Sequence, residues 1–145
     1  MTVGKLCVRD VDTAGPNDSV QVVAQRMHSR NVGTLVVVDA SEQPIGLITD
    51  RDLTIRVLAE GRDGAQVIVD EVMTQNISVV DEDGPIEAAL EVMRAGPFRR
   101  VPVVDKTGKL VGLLSIDDVL DLLAEEFQTI SRLLSKESPD ELAHI

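Results

Sequence analysis

The chain has 145 residues, 43% hydrophobic and 27% charged, a globular balance long enough to bury a core without a metal or disulfide staple. Lys and Arg number 14 against 25 Asp and Glu, a net charge of −11, and Phe98 and Phe127 are the only aromatic residues; nucleic acid, which takes a basic footprint and rings for stacking, is excluded as an expected partner. Cys7 alone cannot build a disulfide framework or a cysteine zinc cluster, apolar runs such as Leu35 to Val38 are too short to span a bilayer, and Met1 to Lys5 lacks a signal-peptide core, so a cytoplasmic protein with no membrane partner is expected.

Pro16-Asn17-Asp18-Ser19 reads as the cap of a helix whose apolar positions Val20, Val23, Ala24 and Met27 fall at helical spacing. Thr34 to Val38 is β-branched and nearly unbroken, as a buried strand should be. Ala40 to Pro44 reads as a turn, Ile45 to Thr49 as the returning strand, and Asp50 to about Ala59 as a helix. Glu60-Gly-Arg-Asp-Gly64 reads as a linker.

The pattern then starts again. Val37-Val38-Asp39 recurs as Val103-Val104-Asp105, Gly46-Leu47 as Gly112-Leu113, Met27 as Met93, Thr49 as Ser115 and Asp52 as Asp118, all at an offset of 66 residues. One gapless alignment lays residues 6–58 on 72–124, so the chain is an internal duplication. Thr107-Gly108 marks the turn of the second copy, and Ser115 leads its last helix. That helix continues past the repeat with Leu120, Leu123, Phe127, Ile130 and Leu134 in steps of three and four, a seam at heptad spacing. Self-association through this face is expected; packing on the chain's own domain is the alternative.

These residues resemble a tandem pair of cystathionine β-synthase (CBS) domains, a Bateman module. The resemblance rests on Val37-Val38-Asp39 with Gly46-Leu-Ile-Thr49-Asp-Arg-Asp52, on Val103-Val104-Asp105 with Gly112-Leu-Leu-Ser115-Ile-Asp-Asp118, on Asp70-Glu-Val-Met-Thr74 and on Arg99-Arg100-Val101-Pro102-Val103. The first copy departs from it: Gly33-Thr34-Leu35-Val36 stands where the basic pair and proline stand in the second. It implies an α/β (α+β) fold of two strand-helix-strand-strand-helix repeats related by a pseudo-two-fold, with repeats at 6–59 and 70–124, a linker at 60–69 and a helical extension and tail at 125–145. It further implies a stand-alone, non-catalytic sensor that dimerises, binds an adenosine-containing ligand such as AMP, ADP or ATP, or an adenosyl compound, between the repeats, and acts on a regulated protein. The rival is a structural dimerisation or interaction module with empty or vestigial clefts.

Thr49-x-x-Asp52 and Ser115-x-x-Asp118 stand at strand-to-helix junctions. A carboxylate there can accept both hydroxyls of a ribose, beside a helix end that favours an anion; the same pattern is also a capping box needing no ligand. Arg100, ahead of Arg99, matches the family's phosphate-contacting position, and guanidinium suits phosphate; a solvated pair is the alternative. Arg51 is a candidate for the other cleft or an exposed first-turn residue. The resemblance nominates Val11, Thr13 and Thr34 with Ser115 and Asp118 for one cleft, and Ser78, Val80 and Val101 with Thr49 and Asp52 for the other. Asp117-Asp118 and Asp81-Glu82-Asp83 are candidates for Mg²⁺ beside ATP, or solvated acidic faces. His28, His144 and Cys7 lack partners at ligand or catalytic spacing, and no glycine-rich phosphate loop occurs.

Overall fold

A computed structural model describes residues 1–96 and 98–136. A one-turn helix α1 (Val3–Leu6) precedes the first repeat, which runs β1 (Thr13–Ala14), α2 (Val20–Arg30), β2 (Thr34–Val38), β3 (Pro44–Thr49) and α3 (Asp50–Leu53), the last continuing as a wider π-turn over Thr54–Leu58. A second one-turn helix α4 (Val69–Val72) precedes β4 (Val80–Asp81), α5 (Ile86–Ala95), β5 (Arg100–Val104), β6 (Leu110–Ser115) and α6 (Ile116–Lys136). The strand-helix-strand-strand-helix order is the one read from the sequence. The two one-turn helices are additional, because four residues are too few to carry a periodicity.

Each repeat makes its own three-stranded sheet, ordered β1-β2-β3 and β4-β5-β6. The duplication holds pair by pair. Thr34 faces Thr49 and Arg100 faces Ser115, and both ladders shift register at the same place, Val37/Val38 and Val103/Val104. The Val-Val-Asp signature closes each hairpin: Asp39 Oδ1 accepts from the Ser41 and Gln43 amides, and Asp105 Oδ1 from the Thr107 amide and hydroxyl and the Lys109 amide. The tight turn is completed by Glu42 at φ 62° and by Gly108 at φ 85°, the left-handed region where glycine has no steric cost.

The cores do not follow the repeat boundaries. The first contains Leu35, Val37 and Ile48 from its sheet and Val20, Val23 and Met27 from α2, but also Val67, Val69, Val72 and Met73 from the approach to repeat two. The second contains Val101, Val103 and Leu114 and also Val3, from the approach to repeat one. Val8 bridges to Leu113 and Thr74 to Leu47, so the segment leading into each repeat extends the sheet of the other. The connection at 60–69 is strapped down as well, since the Val20 amide donates to the Val67 carbonyl at 2.9 Å and the Gln21 amide to the Gly64 carbonyl at 3.1 Å. Ser19 caps α2 as expected, accepting from the Val22 amide, while Ala24 lies exposed beside the buried Val23 and Met27.

Helix α6 runs unbroken for 21 residues, about 32 Å. Val119 and Leu122 turn into the second core, whereas Leu120, Leu123, Phe127, Ile130 and Leu134 are 55–74% exposed. Packing on its own domain therefore does not cover the seam. No helix among the described residues is long and apolar enough to cross a membrane. His144 lies outside the described residues.

Candidate functional site

Both strand-to-helix junctions form complete capping boxes. Asp52 Oδ2 accepts from the Thr49 amide at 2.9 Å while the Asp52 amide donates to Thr49 Oγ1 at 3.2 Å. Asp118 and Ser115 repeat this at 2.9 and 3.2 Å. Each carboxylate spends one oxygen on the cap and keeps the other. Asp52 Oδ1 lies 3.9 Å from Arg56 Nε, a long ion pair; Asp118 Oδ1 meets no hydrogen-bond donor among the described residues. Capping and ligand reading thus use different oxygens of the same side chain.

Asp118 and Ser115 open onto a cavity of about 330 Å³ between the repeats, within the usual range for a small-molecule site. Its apolar wall is Val8, Val11, Val32 and Leu113, and Thr34 and Arg100 stand across it. Thus Val11 and Thr34, nominated with Ser115 and Asp118, come together in one place with Arg100, nominated for phosphate. The polar rim holds Asp10 and Asp12, which sequence reading passed over. Arg30 Nη2 donates to Asp10 at 2.6 Å and Arg30 Nε to Asp12 at 2.8 Å, and these bonds raise the guanidinium pKa further above its ordinary value. Asp10 and Asp12 are two apart and so suggest one face, but Arg30 reaches them only because β1 pairs parallel with β2 and brings the end of α2 alongside.

The pseudo-two-fold generates a second cavity of about 210 Å³, lined by Thr34, Leu47, Thr49, Phe98, Arg99 and Arg100. Phe98 and Arg99 occupy the positions of Val32 and Gly33, and their bulk narrows it. Arg100 and Thr34 border both cavities. Among the described residues neither Arg99 nor Arg100 makes an ion pair. Arg51 is exposed beside Asp52 and borders neither cavity.

The remaining nominated residues lie elsewhere. Val80 and Val101 are 6% and 1% exposed in the second core: Val80 is the buried residue of the two-residue β4, and β5 is buried on both faces from Val101 to Val104. Thr13 lines a neighbouring groove, its carbonyl accepting from Arg26 Nη1 at 2.8 Å. Ser78 sits in a shallow groove with Val92 and Phe98. Asp81 accepts from the Asp83 amide in an exposed turn, and Asp117 is exposed; no cluster of three or more His, Cys, Asp or Glu suited to a metal occurs among the described residues. Cys7 is half-buried under Gly112, and that burial pushes its thiol pKa up, which disfavours the reactive thiolate.

Comparison with known proteins agrees with this fold. The CBS domain profile matches residues 3–59 and 69–125. An uncharacterized protein of Methanopyrus kandleri, MK0525, is 34% identical over 136 residues, covering 94% of this chain and 69% of that protein. The CBS domain-containing protein YhcV of Bacillus subtilis is 37% identical over 109 residues, covering 75% of this chain and 76% of that protein. Among solved structures, the CBS domain pair of protein MJ0100 in complex with 5′-methylthioadenosine and S-adenosyl-L-methionine superposes with a TM-score of 0.76 at 26% identity, covering 87% of this chain and 98% of that one. Two in-register copies of the fold, each matched by the same profile, lead to one conclusion: the chain belongs to the CBS domain family and carries two CBS domains in tandem.

Proposed function

We propose that the protein is a non-catalytic regulatory module that binds an adenosine-containing ligand of the AMP, ADP or ATP class in the clefts between its repeats. One observation carries this reading: Asp118 caps α6 with Oδ2 and, among the described residues, leaves Oδ1 without a donor at the edge of a cavity walled by aliphatic side chains. A vicinal ribose diol supplies two donors to that free oxygen, which has two lone pairs to accept them, and Val11, Val32 and Leu113 offer apolar walls for a base where no ring shelf exists. The complex of MJ0100 with two adenosyl compounds supports the same chemistry. Calorimetry and thermal shift with adenosine, AMP and ATP test the proposal. Binding should raise the melting temperature, since a ligand of the folded state stabilises it by mass action. Asp118→Ala should weaken adenosine binding at least tenfold, or about 1.4 kcal/mol. Absence of heat and of a melting shift with every adenosine compound at millimolar concentration rejects the reading.

A second role rests on the exposed seam of α6. The five large apolar side chains on this stripe are suited to a second copy of the chain, buried symmetrically as a two-fold interface requires. The module then works as a homodimer, its helical extension joining two ligand-binding pairs or presenting them to a regulated protein.

A further inference from the structure

The two cavities are copies of one site, so the offset of 66 residues shows which side chains changed as they diverged. Around the first stand three carboxylates, Asp10, Asp12 and Asp118, and one guanidinium, Arg100. The second is lined by two guanidiniums, Arg99 and Arg100, and no carboxylate. Four of the charge changes run the same way, Asp118 keeps its counterpart in Asp52, and Arg30, which becomes Gly96, runs the other. Asp10 becomes Asn76, Asp12 becomes Ser78, Gly33 becomes Arg99, and Asp50 becomes Ile116. Asp50 adds to the contrast, because its carboxylate is aimed at Gly33: a Cβ on that glycine would sit 2.9 Å from Asp50 Oδ2. Arg30 offsets part of the first cavity's charge, being held by Asp10 and Asp12 at 2.6 and 2.8 Å. Those bonds also commit its donors to carboxylates, leaving Arg100 as the cation that lines that cavity. In the second cavity neither arginine is committed to an acid among the described residues.

We infer that the two clefts have diverged into sites of opposite preference: the Arg99/Arg100 cleft takes the phosphate-bearing ligand, and the Asp10/Asp12/Asp118 cleft takes a nucleoside or adenosyl compound whose 5′ substituent is neutral or cationic. The physical basis is Coulombic. A phosphate dianion entering the first cleft meets like charges within a few ångströms, which disfavours it, while planar guanidiniums in the second offer bidentate donors to it. This deepens the adenosine reading and rests on it for the nucleoside half; the phosphate half stands on charge alone.

The test uses the full chain and three probes, adenosine, AMP and inorganic pyrophosphate, followed by calorimetry and by amide NMR shifts. Asn31 and Gly33 report the first cleft, and Thr49 and Arg99 the second. Pyrophosphate and low AMP should shift the second set only, whereas adenosine should shift the first. Arg99→Gly, which copies the first cleft's residue into the second, should weaken AMP at least tenfold and leave adenosine at the first cleft within twofold. Asp10→Asn with Asp12→Ser, the reverse exchange, should admit AMP to the first cleft at least tenfold more tightly. Should the double variant lose stability, the Arg99→Gly comparison still decides. Equal shifts of both sets by AMP and pyrophosphate, or AMP affinity unchanged in Arg99→Gly, overturn the inference while leaving adenosine binding intact. Pyrophosphate shifting only the second set with no response to adenosine upholds the charge divergence and rejects the adenosine reading instead.

Discussion

Gly46 lies directly beneath Met73: a Cβ placed on it would fall 2.6 Å from Met73 Sδ and 2.9 Å from the Thr74 carbonyl oxygen. Gly112 stands in the same relation to Cys7 Sγ at 2.6 Å and the Val8 carbonyl at 3.0 Å. These glycines mark where the segment leading into one repeat crosses the sheet of the other. The side chain above can move aside, but the carbonyl belongs to a bridge that pairs the segment to the sheet. Gly46→Ala and Gly112→Ala should each cost about 1–3 kcal/mol, as overpacked sites do, read as a lower denaturation midpoint at unchanged slope.

Fragments should follow the cores and not the repeats. Residues 9–75 hold every buried member of the first core and should give a cooperative melt. Residues 3–59 lack Val67, Val69, Val72 and Met73 and should show none. Circular dichroism of the two fragments decides; a cooperative transition in the shorter one would contradict the exchanged packing.

Arg100→Ala should weaken AMP more than adenosine, by about 1.5–3 kcal/mol for a lost charged donor. Parallel titrations of nucleotide and nucleoside separate the outcomes: equal losses would assign Arg100 to the base or sugar and remove it from phosphate recognition.

Asp105 gives a pH dependence of definite sign. Its hydrogen bond from the Thr107 hydroxyl, then those from the Thr107 and Lys109 amides, hold its carboxyl below the ordinary value of 3.8. A carboxyl depressed on folding stabilises above its unfolded value and loses that contribution as pH falls through the folded value. Acid titration of stability should therefore steepen below pH 3.8, and Asp105→Ala should flatten that part of the curve. An unchanged slope would mean that the hairpin bonds do not survive in solution.

The seam on α6 predicts a dimer with twice the chain mass of 15.7 kDa. Each large side chain is worth about 1.5–3 kcal/mol when fully buried, enough across two helices to hold the pair at micromolar concentration. Sedimentation of the full chain checks the mass. Truncation after Ala124 locates the contact: monomer assigns it to the seam, and retained dimer assigns it to the repeat helices. Phe127→Glu, a charge at the most exposed position of the stripe, should act like the truncation in the first case.

The duplication was legible because its marks are local. Asp39 and Asp105 tie turns within four residues, Ser19 caps its own helix, and Thr49 and Asp52 close a box within one turn. Much of the first cleft was legible for the same reason, since Ser115, Asp118 and Arg100 belong to short motifs. The burial of Val80 and Val101 was not legible, because β4 is two residues long and β5, buried on both faces from Val101 to Val104, carries no alternation to read. Asp10, Asp12 and Arg30 went unread because 18 or more positions separate the arginine from its acids. The exchange of segments left no local mark except the two glycines, and a glycine followed by a hydrophobic pair reads equally well as an ordinary strand position.

The same exchange sets an order on the birth of the protein. The first core draws on residues from Ala14 to Met73 and can close once that stretch has left the ribosome. The second needs Val3 together with Leu114 and Val119, so a segment made before the first core must wait for residues made well after it. At synthesis rates of about 5–20 residues per second, that segment spends several seconds unpartnered beside an already folded half. Its buried share is slight, chiefly Val3, which suits a segment that must stay harmless while it waits.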